Sequence, residues 1–240
     1  MSALPFLKEE ITPVYSLRAL AHLLSYPGAN LRQALPELRD ALHREGALTS
    51  IRLQSLDALM ASLTERDPLE VESDYVDLFD RGRATSLHLF EHVHGDSRDR
   101  GPAMIDLLKT YEQGGLYLDP EQANGELPDY LPVVLEFVST LSAEQMRDFT
   151  GEFAHILNAV HAALLKRRSR YAAVLAAVLE IGRHPVEAVD VPEDEDLDAS
   201  WVEPEAFGGC TSKGQQSPDQ PQPIQIVRRE AANPQRGASA

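Results

Sequence analysis

The chain has 240 residues, 43% of them hydrophobic, and its 38 acidic side chains against 22 basic ones give a formal net charge of −16. A surface this acidic repels phosphate backbones and anionic headgroups, which argues against nucleic acid and membranes as partners and favours a basic peptide. Cys210 is the only cysteine, so an internal disulfide and a cysteine-based zinc site are excluded, and a reducing cytoplasm is the expected location.

The N-terminus, Met1-Ser-Ala-Leu-Pro-Phe-Leu-Lys-Glu-Glu, lacks the basic start and apolar core of a secretory signal. The longest nearly apolar run, Tyr171 to Leu179, is about half the ~20 residues that span a bilayer. The chain is read as soluble and not exported.

In chain order, Thr12-Pro13 is a cap and a first-turn proline, followed by Val14, Leu17, Leu20, Ala21 and Leu24 at helical spacing. Tyr26-Pro27-Gly28 stops that helix. Leu31, Leu35, Leu38 and Leu42 form the next stripe; Pro36 inside it predicts a short turn before the helix proper. Ile51, Leu56, Leu59, Met60 and Leu63 mark a third helix, and Asp67-Pro68 opens a fourth carrying Val71, Tyr75, Leu78 and Phe79. Met104 to Tyr111 carries a helix that Gly114-Gly115 ends, and Asp129 is expected to cap one through Val133, Val134, Phe137 and Val138. Ser142-Ala-Glu-Gln145 matches a capping box, and Phe153, Ile156, Leu157, Val160 and Leu164 continue its stripe. After Lys166-Arg167-Arg168, a last helix carries Tyr171, Leu175, Val178 and Leu179 to Gly182. The period-two alternation of strands is absent, so the expected fold is all-α, a compact multi-helix bundle of about nine helices.

The boundary falls at His184-Pro185. From Pro185 to Ala240, seven prolines, eleven acids and four bases accompany few large apolar residues, the composition of a disordered tail. Its charge is −7; subtracting −7 from −16 leaves −9 on residues 1–184, the helical domain. Trp201 and Phe207 are exceptions within residues 198–208, read either as a chance apolar pair or as a docking segment.

The densest chemistry lies between Ser86 and Pro132, where His88, Glu91, His92, His94, Asp96, Arg98, Asp99 and Arg100 fall within thirteen residues. His88-Leu-Phe-Glu91-His92 matches H-x-x-E-H, in which two histidines would ligate zinc and the glutamate would act as general base. That alternative, a zinc-dependent hydrolase, needs a continuous helix and a further ligand, whereas Gly95 and Asp96 interrupt the helical pattern three residues later. Ser86 and Ser97 lie in no nucleophile elbow, and no phosphate-cradling glycine loop is present. The chain is therefore read as a non-enzyme with no catalytic residue, metal or cofactor. Arg98 and Arg100 read equally as a salt-bridge web with Asp96 and Asp99. Tyr75, Phe79, Phe90 and Tyr130 read first as core; the functional version is an apolar groove rimmed by Asp74, Asp77, Glu91 and Asp129 that takes a basic amphipathic helix.

The runs Tyr75-Val-Asp-Leu-Phe-Asp-Arg-Gly-Arg83, Ser86-Leu-His-Leu-Phe-Glu-His-Val-His-Gly-Asp-Ser-Arg-Asp-Arg-Gly101 and Glu126-Leu-Pro-Asp-Tyr-Leu-Pro132 resemble the nitrate reductase molybdenum cofactor assembly chaperones, a branch of the TorD/DmsD-type redox-enzyme chaperones. The similarity extends from about Tyr15 to Ile181. It implies a TorD-like all-α fold and a cytoplasmic, non-enzymatic role. Such a protein binds the N-terminal peptide of the apo catalytic (alpha) subunit of nitrate reductase and keeps it competent for molybdenum cofactor insertion and iron–sulfur cluster maturation, without joining the final enzyme. The partners implied are that subunit and cofactor-delivery proteins. The candidate client-binding residues are Tyr75, Phe79, Glu91, His92, His94, Asp96, Arg98, Arg100, Asp129 and Tyr130. Pro102 and the Gln/Pro-rich end after Lys213 depart from the family pattern.

Overall fold

Pro13 offers no side chain to cap a helix, so the first turn of α1 (Val14–Leu23) is capped from elsewhere. In the computed structural model, which describes residues 13–95, 97–119 and 125–190, the carboxylate of Glu45 accepts from Tyr15 N at 3.1 Å and Ser16 N at 2.6 Å. A negative charge there also opposes the positive end of the helix dipole. Glu45 ends α2 (Ala29–Glu45), and Gly46 follows in the left-handed conformation that a helix C-terminus favours. The cap therefore sets α1 against α2.

Pro36 does not divide α2, which runs through it as one helix. Leu31, Leu35, Leu38 and Leu42 bury one face while Pro36 is exposed on the other, so the carbonyl that loses its donor, on Arg32, is on the side where water can reach it. Burial of the leucine face outweighs the lost hydrogen bond.

The remaining helices are α3 (Ser50–Glu65), α4 (Pro68–Phe79), α5 (Leu89–His94), α6 (Arg100–Gln113), α7 (Leu131–Val138), α8 (Ala143–Lys166) and α9 (Ala172–Ile181), with a 3-10 turn at Arg83–Thr85. Nine α-helices are thus present among the described residues, with no strand beyond an isolated bridge between His88 and Tyr130. Asp67 caps α4 by accepting from Leu69 N and Glu70 N, and Ser142 and Gln145 close the expected capping box on α8. No described helix is long and apolar enough to cross a membrane.

Helix α9 lies at the centre and buries eight of its ten residues. It packs along α8 and also touches α1 and α3, while α1 packs against α2 and α7. Leu17, Leu20, Leu24, Leu135, Leu157, Leu164 and Leu175 are fully buried in this core. At its edge Glu180 of α9 accepts from Thr49 N at 2.6 Å and Arg52 Nε at 3.2 Å, fastening the start of α3. Beyond α9 the chain lies along α8: Asn158 donates to Pro185 O at 3.2 Å and accepts from Glu187 N at 2.8 Å. The segment 198–208 and Cys210 lie outside the described residues.

Candidate functional site

The side chains singled out between residues 75 and 130 divide into a buried polar web and a neighbouring aromatic cleft. The web centres on Asp129, which is fully buried. Its Oδ2 accepts from Phe90 N at 3.0 Å and its backbone carbonyl accepts from Leu89 N at 3.0 Å, so it caps α5 from across the chain. This corrects the sequence expectation: Asp129 does not cap α7, whose N-cap is Tyr130 with no side-chain cap bond, and a buried carboxylate cannot form part of a solvent rim. Leu131 N donates to Leu87 O at 2.8 Å, so the segments before α5 and α7 run side by side. These bonds from residues about 40 positions away hold the start of α5, a helix of only six residues that is too short to persist alone.

Two basic side chains face Asp129. His88 Nδ1 lies 3.3 Å from Oδ1, and Arg100 Nη2 lies 3.6 Å from Oδ2. The hydrogen bond to Asp129 holds the His88 imidazole above its ordinary pKa, against the opposing effect of partial burial. Glu91 accepts from the Ser86 hydroxyl and pairs with Arg100 at 3.4 Å, while His92 Nε2 donates to Ser86 O at 2.9 Å. The zinc arrangement is not supported. His88 is the N-cap of α5 and sits outside the helix that carries His92, and Glu91 and both imidazoles are turned toward Ser86, Arg100 and Asp129. His94 packs edge-on against Phe90 at 5.7 Å, Arg98 is exposed between α5 and α6, and Asp96 lies outside the described residues.

The cleft lies between the end of α1, the end of α4 and the segments at residues 87–88 and 126–130, with a volume of about 360 Å³. Tyr75, Phe79 and Tyr130 line it, together with Tyr26, Asp80, His88 and Glu126. Tyr75 and Phe79 are also core: they are 5% and 6% exposed, their rings lie 4.8 Å apart, and Tyr171 packs edge-on against both. The Tyr75 hydroxyl donates to Leu24 O at 2.7 Å and lies 3.2 Å from the Tyr130 hydroxyl. It thereby satisfies a carbonyl that the end of α1 leaves without a helical donor. Burial pushes the Tyr75 and Tyr130 hydroxyls up, so both are neutral at physiological pH.

The acids around the cleft are not those expected. Asp74 pairs with Arg66 at 2.7 Å and Asp77 with Arg81 at 2.8 Å; neither lines the cleft. Asp80 and Glu126 do, and neither forms an ion pair among the described residues. Tyr26, half exposed, donates to Glu72 at 3.0 Å and meets Tyr75 edge-on at 5.7 Å. Sequence reasoning missed Tyr26, Asp80 and Glu126 as site residues. Asp80 and Glu126 lie inside the quoted motifs, but Tyr26 reads only as the end of a helix.

The described residues thus form an all-helical domain whose concentrated polar groups are largely spent on its own backbone, beside an aromatic cleft edged by Asp80 and Glu126. Comparison with known proteins gives this domain a family. The profile of the nitrate reductase delta subunit family matches residues 27–177, and the chain belongs to that family. The nitrate reductase molybdenum cofactor assembly chaperone NarJ of Escherichia coli K12 is 40% identical over 194 residues, 77% of this chain and 80% of the relative. The probable chaperone NarW of the same organism is 36% identical over 199 residues, 78% and 80% of the two chains. A probable NarJ of Bacillus subtilis is 34% identical over 161 residues, 67% of this chain and 84% of the relative.

Proposed function

We propose that this protein is a cytoplasmic assembly chaperone of nitrate reductase and not an enzyme. It binds the N-terminal peptide of the apo alpha subunit and keeps that subunit open to molybdenum cofactor insertion and iron–sulfur cluster maturation. It leaves before the enzyme is complete. Cofactor-delivery proteins are its second class of partner, and it carries no cofactor of its own. Family membership supports the chaperone role, since the relatives are named for it. The observation that carries the peptide reading is the cleft: an aromatic floor of Tyr75, Phe79 and Tyr130, with Tyr26 half exposed beside it and Asp80 and Glu126, which form no ion pair among the described residues, around it.

A basic amphipathic helix would place an apolar side chain over that floor and a Lys or Arg against Asp80 or Glu126. Exposed pairs of this kind contribute only about 0.2–1 kcal/mol each, so they steer the encounter while the buried anchor sets the lifetime. The test is calorimetric titration of the full chain with the N-terminal peptide of the alpha subunit encoded in the same genome. Saturable one-to-one binding is expected, weakened at least tenfold by Tyr26→Ala, a loss of about 1.4 kcal/mol. Asp80→Asn with Glu126→Gln should slow association more than it speeds dissociation and flatten the salt dependence. Absence of peptide binding would overturn the reading.

The pH dependence has a definite sign. His88 faces Asp129, Glu91 and Glu126, and its protonated ring at the cleft edge would repel a basic peptide. Its pKa is raised, so binding should weaken as pH falls through a value above the ordinary ~6.5, and His88→Gln should remove that step.

A further inference from the structure

A second cleft, of about 340 Å³, opens between α3, α4 and the turn joining α8 to α9, and it has the opposite charge character. Four of the five residues Lys166-Arg167-Arg168-Ser169-Arg170 are cationic in a chain of net charge −16. Arg167, Arg168 and Arg170 line the cleft, as does Arg66. The two lining acids are already engaged, Asp74 by Arg66 at 2.7 Å and Asp77 by Arg81 at 2.8 Å. Arg168 and Arg170 are exposed and form no ion pair among the described residues, which leaves two uncompensated positive charges.

Two local features shape the surroundings of this turn. Arg168 has φ +55, a left-handed backbone that glycine or asparagine would adopt more easily. Gly82 makes room for its neighbour: a Cβ there would lie 2.7 Å from Arg167 Nη2, so a side chain at 82 would displace that guanidinium. Beneath the cations, Leu59, Leu63, Val71 and Tyr171 supply an apolar floor.

Charge and size select the ligand. A carboxylate would balance one of the two free guanidiniums, whereas a phosphomonoester carries about −1.5 to −2 at pH 7 and offers three acceptor oxygens to planar arginine forks. The volume is at the low end of the roughly 300–1,000 Å³ typical of small-molecule pockets. We propose that this cleft binds a small organic phosphate, with its phosphate on Arg168 and Arg170 and its carbon body over Leu59, Leu63, Val71 and Tyr171. The proposal does not depend on the client reading, which concerns a different cleft.

The test is titration of the full chain with phenyl phosphate, and with inorganic phosphate as the body-less probe. Saturable binding of phenyl phosphate is expected, weaker for inorganic phosphate and weaker again below about pH 6, where the ester loses its second charge. The double variant Arg168→Ala, Arg170→Ala should lose at least tenfold in affinity, and Arg168→Glu at least as much, with melting temperature and client-peptide binding unchanged because both side chains are exposed. No saturable binding up to about 10 mM phenyl phosphate, or equal affinity in the wild type and the double variant, would overturn the site. Equal affinity for the two probes would overturn the assignment of an organic body.

Discussion

Helices α9 and α5 are stabilised by opposite means. Helix α9 buries eight of ten residues, all apolar, and receives no side-chain cap. Helix α5 buries only Leu89 of its six residues and depends on Asp129, Ser86 and Arg100 to hold its start and its polar face. The difference teaches that the chain separates scaffold from site. Apolar burial is non-directional and builds a core that tolerates change elsewhere, whereas a polar web fixes one geometry but fails when a single member is lost.

The largest effect should come from the scaffold. Leu175→Ala, at a fully buried position of α9, should destabilise the whole domain by about 4 kcal/mol through lost transfer energy and a residual cavity, measured by denaturant unfolding. Asp129→Ala should cost somewhat less, about 3 kcal/mol, the low end for breaking a buried pair, since His88 and Arg100 retain partial solvent access. Its signature should be local: hydrogen exchange at Leu89 and Phe90 should accelerate far more than exchange in α9. Equal acceleration in both helices would contradict the separation of scaffold from site.

Tyr75→Phe should cost about 1–2 kcal/mol, because it leaves Leu24 O without its 2.7 Å donor while the ring packing survives. The smallest effect is the proton on His88. Its folded pKa is raised, so the stability it contributes is fully present below the unfolded value of about 6.5 and is lost as pH rises through the folded value. The melting-temperature advantage of the wild type over His88→Gln should therefore shrink on going from pH 6 to pH 8.5. An advantage that grows over that range would show that Asp129 does not hold the proton on His88.

Local signals told in the sequence exactly where they act over a few residues, so this part of the fold was legible. Asp67-Pro68 and Ser142-x-x-Gln145 opened helices as expected, because a cap needs only its own next three residues. Asp129 misled for the same reason read backwards: its position before Leu131 suggests a local cap, yet the donor it reaches, Phe90 N, is 39 residues away. Pro36 misled because its local penalty is outweighed by leucine burial that depends on α1 and α3 being present. The concentration of imidazoles, carboxylates and guanidiniums after Ser86 did not tell its role, since residue type does not say which groups are consumed by the backbone.

What the sequence by itself determined is the all-α class, the helix-start signals that act within one turn, the acidic character and the family, because these depend on composition, short-range periodicity and contiguous motifs. Only the tertiary structure decided that Asp129 is buried, that Asp74 and Asp77 are neutralised while Asp80 and Glu126 edge the aromatic cleft, and that Arg168 and Arg170 line a separate cleft with α3 and α4. The physical reason is range. A charge acts through whatever lies within a few ångströms of it, and in a folded helical domain those neighbours come from segments tens of residues apart.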